Sequence, residues 1–434
     1  MKISRLKLFI LTLWALTIIL VSCAKGSLIG GFDWPRWGGP DGNWISKEKS
    51  WNPKALVAPR ILWTTDLSYG YSNVAIEGGH LYTMGGEAGD NLIYCLSPNT
   101  GQIIWKYPFS GSQTPQSTPT AGHGLVFALS TEGVLFCLNA QNGKLQWKKD
   151  LVADYGAVKP YYGFAGPPVI EGNLLLLTSN SAGLALDRET GQLVWNSSAP
   201  PPPDQIKAFW SGYTNGTDYS APVTYKHSGR RCALFSSWKG ISAVDVQSGK
   251  PDWLYEWDVY NGNTIPDPVV SGGMILIIGG FSTLMDQQSV LVENIGEKPL
   301  VHWKSRDLWA DITTPVIIGG YIYGCFGGPN RGLADLRCLD LQTGRLMWKQ
   351  ELKTRPRVVS LALTAADGKL IVLDDQGILY IAEASSAGYK EISSCDVLSG
   401  EKKIRKFWTP PVLCNGKIYC RNFNGELICI DVSK

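Results

Sequence analysis

The residues of this sequence that could bind a metal ion or supply a nucleophile are its 10 cysteines and 4 histidines. No two cysteines are adjacent, and none lies in a Cys-x-x-Cys pair of the kind that binds zinc. Four cysteines precede a turn at the same place in separate copies of a repeat, which is typical of a packing position for a small side chain. They are Cys95, Cys137, Cys338 and Cys429. The histidines are spread over separate repeats, so we expect no metal site.

Motifs for enzymatic catalysis are missing from the sequence. It has no G-x-S-x-G elbow, no P-loop, no H-E-x-x-H pair and no dinucleotide fingerprint. Asp267 and Asp311 come just before predicted inner strands, where an acid could act as a base or a metal ligand. Capping of a turn is the interpretation that we favour for both. We therefore predict no catalytic residue and no resident cofactor.

Charge and composition exclude one class of partner. The sequence has 40 basic and 37 acidic side chains, which give a formal net charge of +3. So small a positive charge does not create the electrostatic field that nucleic acid binding needs. Hydrophobic residues make up 44% of the chain, enough for a large core, and charged residues only 18%. We expect a folded protein that binds no nucleic acid.

A nine-residue frame positions many of the aromatic side chains. In 340–348, Asp-Leu-Gln-Thr-Gly-Arg-Leu-Met-Trp, an acid precedes a glycine by four residues and a tryptophan follows it by four. The acid can accept hydrogen bonds from a turn, glycine tolerates positive φ, and the tryptophan begins the next strand. The frame recurs at 97–105, 139–147, 187–195 and 245–253, with Ser97 and Asn139 in place of the acid in the first two. The chain is therefore built from strand–turn–strand repeats.

The tryptophans recur with a period of roughly 40–50 residues, which is typical of the four-stranded blades of a β-propeller. No segment has convincing helical periodicity, so we predict an all-β, eight-bladed propeller. The predicted docking tryptophans are Trp63, Trp105, Trp147, Trp195, Trp253, Trp303 and Trp348. The last blade lacks an outer strand of its own. We expect the N-terminal strand around Trp63 to pair with 427–432 and close the ring.

The first 50 residues precede the repeats. Residues 1–22 combine a basic start with a short apolar run, as a signal peptide does. The run ends in Leu20-Val21-Ser22-Cys23, which resembles a lipobox, so we predict a lipid anchor at Cys23; an ordinary signal with an incidental cysteine is the alternative. We interpret 23–50 as a lipidated tether and irregular cap, and 51–434 as the propeller.

The two longest segments between repeats are rich in aromatic residues. Loops carry function in propellers, so these rings are candidates for a rim that binds a partner or ligand. The candidates are Tyr161, Tyr162, Phe164, Trp210, Tyr213 and Tyr219. The equally good alternative is that the rings only fix the loops to the blades.

Cys420 and Cys429 flank a predicted hairpin. If Asn424 and Gly425 form a two-residue type I′ turn, Phe423 pairs with Glu426 and Cys420 pairs with Cys429. A disulfide would then be possible in an oxidising compartment. Two small buried thiols are the alternative.

The Asp-x-x-Thr-Gly-x-x-x-Trp frame resembles the tryptophan-docking repeat of the quinoprotein, or PQQ-like, β-propellers. One branch of that family consists of alcohol dehydrogenases whose PQQ and calcium site uses a disulfide between adjacent cysteines, an acidic base, and carboxylate and amide ligands. The other branch consists of non-enzymatic lipoproteins similar to the outer-membrane assembly factor BamB, whose propeller binds partner proteins. Because this sequence has no adjacent cysteines, it resembles the second branch better.

The resemblance implies a membrane-anchored scaffold that binds proteins of the bacterial cell envelope, with outer-membrane protein assembly as one setting. It further implies a monomeric propeller on the periplasmic side of the outer membrane or on the cell surface. Two alternatives remain. One is an oxidoreductase that uses PQQ with calcium, and the other is a propeller that binds carbohydrate or another small ligand.

Overall fold

Each repeat folds into one antiparallel sheet, and eight such sheets follow one another along the chain to form a β-propeller. In each blade the first strand of the repeat lies towards the channel; the last strand is outermost in blades 1 to 7, and the N-terminal strand Arg60–Asp66 takes that place in blade 8. The prediction of an all-β, eight-bladed propeller is confirmed. The computed structural model describes residues 31–87, 89–160, 162–178, 182–197, 219–237, 240–256, 265–280, 288–295, 298–329, 332–352, 358–398 and 405–434.

The first half of the chain forms blades 1 to 4. Strands β1 (Ile45–Ser46) and β2 (Arg60–Asp66) and a short 3-10 helix (Ala55–Val57) precede them. Blade 1 is β3 (Ala75–Glu77), β4 (His80–Glu87), β5 (Asp90–Leu96) and β6 (Ile103–Phe109). Blade 2 is β7 (Thr120–Gly122), β8 (Leu125–Leu129), β9 (Val134–Asn139) and β10 (Leu145–Asp150), followed by helix α1 (Leu151–Tyr155). Blade 3 is β11 (Val169–Glu171), β12 (Leu174–Leu177), β13 (Leu184–Asp187) and β14 (Leu193–Asn196). Blade 4 is β15 (Val223–His227), β16 (Arg230–Ser237), β17 (Gly240–Asp245) and β18 (Pro251–Glu256).

The second half forms blades 5 to 8. Blade 5 is β19 (Val269–Ser271), β20 (Met274–Ile277), β21 (Ser289–Ile295) and β22 (Lys298–Ser305). Blade 6 is β24 (Val316–Ile318), β25 (Tyr321–Gly328), β26 (Leu333–Asp340) and β27 (Leu346–Gln350), with the short strand β23 (Trp309–Ala310) parallel to β25. Blade 7 is β28 (Leu361–Ala366), β29 (Lys369–Asp374), β30 (Ile378–Glu383) and β31 (Glu391–Asp396). Blade 8 contributes β32 (Val412–Cys414), β33 (Lys417–Arg421) and β34 (Glu426–Asp431).

The alternating strand directions give the propeller two distinct faces. The turn face carries the hairpins that join the first strand of each blade to the second and the third to the fourth, such as 78–79 and 97–102. The connection face carries the loops that lead from each outer strand to the inner strand of the next blade, such as 110–119. Long insertions such as 156–168 belong to the connection face.

The N-terminal strand closes the ring. Strand β2 pairs antiparallel with β34, and Trp63 lies opposite Cys429 while Thr65 lies opposite Leu427. This is the predicted pairing, and it is confirmed. The buried Arg421 of β33 reinforces the closure, because its guanidinium donates to Ser72 O and Thr83 Oγ1 at the start of the ring.

The turns of the repeat hold the tryptophans of the preceding blade. Asp340 Oδ1 accepts hydrogen bonds from the Thr343 amide at 2.8 Å and hydroxyl at 2.7 Å, which lowers the pKa of the Asp340 carboxyl. Gly344 has φ +67°, and a Cβ there would lie 2.6 Å from Trp303. Glycine is required because the neighbouring indole packs directly on the turn.

Six of the docking indoles donate Nε1–H to a main-chain carbonyl of the next blade's turn, at 2.8–3.2 Å. They are Trp63, Trp105, Trp147, Trp195, Trp303 and Trp348. Trp253 is 4% exposed, and among the described residues its indole makes no such bond to a main-chain carbonyl. The glycine of the following turn, Gly296, is displaced in the sequence frame and lies outside the part of the chain that is described.

The predicted pairing of Cys420 with Cys429 is wrong. Cys420 lies opposite Ile428, and Cys429 lies opposite Tyr419, one residue out of the expected register. The hairpin contains a longer turn than Asn-Gly alone, since Asn422 exchanges main-chain and side-chain hydrogen bonds with Glu426. A shift of one residue places the two thiols on opposite faces of the sheet. Both cysteines are free and buried.

Residues 32–51 form a strap across the turn face. Trp34 exchanges two main-chain hydrogen bonds with Ile76 of blade 1, at 2.7 and 2.8 Å. Further along the strap, β1 pairs in parallel with β28 of blade 7. Trp34, Trp44 and Trp51 are no more than 2% exposed. Because the inner strands surround the axis, a segment bonded to blades 1 and 7 closes the turn end of the channel. Among the described residues, no helix is long and apolar enough to cross a membrane.

Candidate functional site

A cavity of about 410 Å³ lies at the connection end of the channel. Its walls come mainly from the segments that lead into the inner strands of seven blades, which can converge only around the axis, and Pro329 adds the loop between the second and third strands of blade 6. The lining residues are Tyr71, Gln116, Thr118, Tyr162, Ala165, Pro167, Tyr219, Ile265, Asp311, Ile312, Pro329, Lys406, Trp408 and Thr409, with Trp37 from the strap. We call this cavity the channel pocket. Its volume falls within the usual range for small-ligand sites.

Trp37 reaches the pocket from the strap, and a buried carboxylate holds it in place. Its Nε1 donates to Asp267 Oδ2 at 2.8 Å, while the Ala221 amide donates to Asp267 Oδ1 at 2.8 Å. The Trp37 ring also packs edge-on against Trp44, with centroids 4.7 Å apart. The inward-pointing strap therefore forms the floor of the pocket.

Burial raises the pKa of Asp267 to about 6, although its hydrogen bonds act in the opposite direction. Asp267 is 2% exposed, and its two carboxylate oxygens accept hydrogen bonds from Trp37 of the strap and from Ala221 of blade 4. Asp311 is 1% exposed and lines the pocket. It lies against Gly328, and a Cβ added to that glycine would lie 2.3 Å from the Asp311 carboxylate. The bonds of Asp267 are those of a structural acceptor rather than a general base.

A cage of three aromatic rings surrounds the Lys406 ammonium. Its Nζ lies 3.9 Å from the ring centroid of Trp408, 4.9 Å from that of Phe423 and 5.0 Å from that of Tyr71. It also donates a hydrogen bond to the Tyr71 hydroxyl, and the Tyr71 and Trp408 rings stack with centroids 5.4 Å apart. Such contacts attract a cation electrostatically. The cage fixes the position of one positive charge in the wall.

The aromatic cage does not replace the water that Lys406 loses. Burial lowers the pKa of the Lys406 ammonium and raises the pKa of the Tyr71 hydroxyl to about 12. Among the described residues no carboxylate contacts Lys406, in contrast to Arg405, which bonds Asp396 at 2.8 Å. The pocket therefore presents a partly desolvated cation on a mostly apolar wall.

Three of the rim candidates predicted from the sequence are described by the structure, and they differ in how far they are exposed to solvent. Tyr162 is 46% exposed at the mouth of the pocket, with its ring centroid 6.1 Å from that of Tyr219. Tyr219 is only 7% exposed, and its hydroxyl accepts a hydrogen bond from the Tyr162 amide. Phe164 is 3% exposed and packs on Gly133. An exposed rim role is therefore wrong for Phe164, which fixes its loop.

The remaining site predictions fall on residues that are not described. Tyr161, Trp210 and Tyr213 lie outside the described residues, as does the lipidation candidate Cys23. The sequence interpretation missed Tyr71, Lys406 and Trp408, and placed Trp37 only within the irregular cap of residues 23–50. The signal that could have found them is position, because Trp408 stands just before the Pro410-Pro411-Val412 start of an inner strand.

The donor set does not fit the quinoprotein type of site. The nine described cysteines are free, and the sequence has no adjacent pair. Within the described ranges, no group of three or more His, Cys, Asp or Glu side chains could hold a metal ion. Asp267 is already bonded to Trp37 and Ala221, so it offers no open carboxylate to calcium. We assign no chemistry through PQQ to these residues.

The docking repeat and the eight-bladed ring together define a PQQ-like β-propeller. Residues 89–326 match the model of the family described as outer membrane protein assembly factor BamB, and the chain belongs to that family.

The similar proteins include both BamB proteins and subunits of quinone alcohol dehydrogenases. A BamB of Yersinia pestis is 25% identical over 334 residues, covering 74% of this chain and 76% of that protein. The dehydrogenase subunit of a quinone alcohol dehydrogenase from Gluconobacter oxydans is 27% identical over 216 residues, 44% of this chain and 28% of the relative. The match with BamB covers a larger share of both aligned proteins than the match with the dehydrogenase subunit does.

Solved structures share the fold. The crystal structure of BamB from Moraxella catarrhalis aligns with a TM-score of 0.58 at 15% identity, covering 86% of this chain and 98% of that one. Quinohemoprotein alcohol dehydrogenase from Comamonas testosteroni aligns with a TM-score of 0.62 at 14% identity, covering 92% and 80%. At these identities the likeness concerns the fold alone.

Proposed function

We propose that this protein is a non-enzymatic propeller of the bacterial cell envelope that binds partner proteins through its connection face. One observation carries the proposal: the strap closes the channel at the turn face, while the connection face keeps an open aromatic pocket with Tyr162 exposed at its mouth. Exposed aromatic rings around a concave centre are the usual anchors of protein interfaces. Membership of the BamB family supports outer-membrane protein assembly as the setting.

The proposed location and anchor come from the sequence and the relatives. A lipid on Cys23 would hold the protein at a membrane, most simply the outer membrane, without a spanning helix. Residue 32, through which such an anchor joins the propeller, is bonded to Asn415 on the turn face. The connection face is then at the opposite end from the attachment point. We propose a monomeric propeller, because the ring closes on its own N-terminal strand.

Co-purification from detergent-solubilised envelopes tests the proposal. The tagged wild-type protein should recover a defined set of envelope proteins, and Tyr162→Ala should lower that recovery at least fivefold. Ile104→Ala is the matched control, because Ile104 is 48% exposed on the outer strand of blade 1, away from the channel. Equal recovery with both variants would contradict a partner site at the connection face.

Binding of a carbohydrate or another small ligand is the second candidate function. It is favoured by the size of the channel pocket, about 410 Å³, and by the aromatic rings on its wall. A thermal-shift screen with neutral oligosaccharides should then raise the melting temperature of the wild-type protein and not of Trp408→Ala. Stoichiometric uptake of PQQ with calcium, coupled to alcohol oxidation, would instead establish the oxidoreductase alternative.

A further inference from the structure

The Lys406 ammonium is a positive charge placed where a ligand can reach it. It lines the channel pocket, and its surroundings within the described residues are three rings and one phenol oxygen. Aromatic faces stabilise a cation less than a carboxylate in a partly desolvated site does. The site is therefore incomplete electrostatically, and an anionic group entering it would gain a charge-assisted hydrogen bond.

The shape of the pocket restricts how a partner could supply that anion. The strap and Trp37 close the channel below, and connecting segments from seven blades close the sides. A blind pocket admits the end of a polypeptide more readily than a segment in the middle of a chain, because a mid-chain segment needs both an entrance and an exit. The end of a chain also carries its own carboxylate.

We propose that the channel pocket captures the C-terminal carboxylate of a partner protein, with Lys406 as the anion-binding residue and the rings of Tyr71, Trp408 and Trp37 contacting an apolar last side chain. This inference rests on the proposed function and specifies the chemistry of its partner.

Isothermal titration with a minimal chain end tests this inference. The probe is acetyl-Ala-Ala-Phe with a free carboxylate, compared with the same peptide as its C-terminal amide. The wild-type protein should bind the acid at least tenfold more tightly than the amide. Lys406→Met should abolish this preference, and Lys406→Arg should retain it because the charge remains.

Two controls separate the site from general effects. Lys349→Met removes an exposed lysine from the outer strand of blade 6 and should leave the preference unchanged. Thermal unfolding of Lys406→Met should remain cooperative and near the wild-type temperature, so a lost preference is not lost folding. Acetyl-Ala-Asp-Ala amide carries its carboxylate within the chain and should bind at least tenfold more weakly than the chain-end acid.

The outcomes distinguish this inference from the proposed function. Equal binding of acid and amide, no binding of either to the wild-type protein, or a preference that survives Lys406→Met would each overturn carboxylate capture. Equal binding of the internal aspartate peptide would overturn the chain-end assignment. If envelope proteins are still recovered in a Tyr162-dependent manner, the proposed function stands without this inference.

Discussion

At the turn end of the channel, aromatic side chains are buried beneath a main chain that is itself hydrogen-bonded to the blades. Trp44 is fully buried, and its carbonyl accepts from the Ala365 amide at 2.9 Å. At the connection end, Tyr162 is 46% exposed, and the rings of Tyr71 and Trp408 face a cavity. The same residue types close one end of the channel and leave the other open.

The difference teaches that aromatic composition alone does not identify a binding surface. A ring on a strap fixed by ladder hydrogen bonds stabilises the fold, whereas a ring on a connecting loop is available to a partner only where it is exposed, as Tyr162 is. Trp37 lies between these cases, since the strap fixes it while its ring forms the pocket floor. Substitutions at the two ends should therefore separate stability from binding.

Trp44→Ala should have the largest effect on stability. Removing a fully buried indole from the strap leaves a cavity between Trp34 and Trp37, and such changes cost about 3–5 kcal/mol. Urea unfolding followed by circular dichroism measures the loss. A loss below about 1 kcal/mol would show that the strap is not part of the cooperative fold.

Asp267 should make the stability of the closed end depend on pH. Its folded-state pKa of about 6 is above its ordinary 3.8, so the folded protein holds a proton that the unfolded chain has released. The contribution of Asp267 to the free energy of unfolding should therefore be greatest at low pH and fall as pH rises from about 4 to 6, by roughly 3 kcal/mol.

The test compares wild type with Asp267→Asn by urea unfolding at pH 4, 5, 6 and 7. The asparagine side chain of this variant would keep an acceptor for the Trp37 indole but could not ionise. The comparison is needed because burial also raises the pKa of Glu77 to about 7, with the neighbouring Asp33 carboxylate contributing. Parallel pH profiles for the two proteins would show that Asp267 does not titrate in this range.

The elements of the fold could be predicted because each has a local signal. The frame around Gly344 repeats in register, and the count of blades leaves one outer strand to be supplied by Trp63 and its neighbours. The Cys420 register could not be predicted from Asn424-Gly425, because the side chain of Asn422 extends the turn. The hydrogen bonds between Asn422 and Glu426 lie outside the dipeptide and accompany the shifted pairing.

The channel pocket had a much weaker signal. Tyr71 and Lys406 are separated by most of the chain, and they meet only because blade 8 closes against blade 1. The strap adds Trp37 from outside the repeat, where no periodicity indicates its direction. Residues on the long insertions were easier to notice, but Phe164 shows that an aromatic loop residue can be an internal contact.

Gly344→Ala should have an intermediate effect that isolates the tryptophan contact at the turn face. A Cβ at Gly344 would lie 2.6 Å from Trp303, whereas a Cβ at Gly319 in the same blade would meet nothing within 4 Å. Both glycines have positive φ, +67° and +58°, so Ala is strained at each by about 1 kcal/mol. The clash should add roughly 1–3 kcal/mol to Gly344→Ala alone. Equal melting temperatures for the two variants would mean that the indole moves aside freely.

Tyr162→Ala should have the smallest effect on stability, although it lies at the proposed binding surface. Its ring is nearly half exposed and contacts Tyr219, while the loop is held by hydrogen bonds of the Tyr162 main chain to Tyr219 and Gln116, which the substitution keeps. We therefore expect a change within about 0.5 kcal/mol in the free energy of unfolding. Paired with the predicted loss of partner recovery, this near-neutral result would place binding, and not folding, at the connection face. A loss comparable to that of Trp44→Ala would instead make Tyr162 a structural ring and remove the contrast between the two ends.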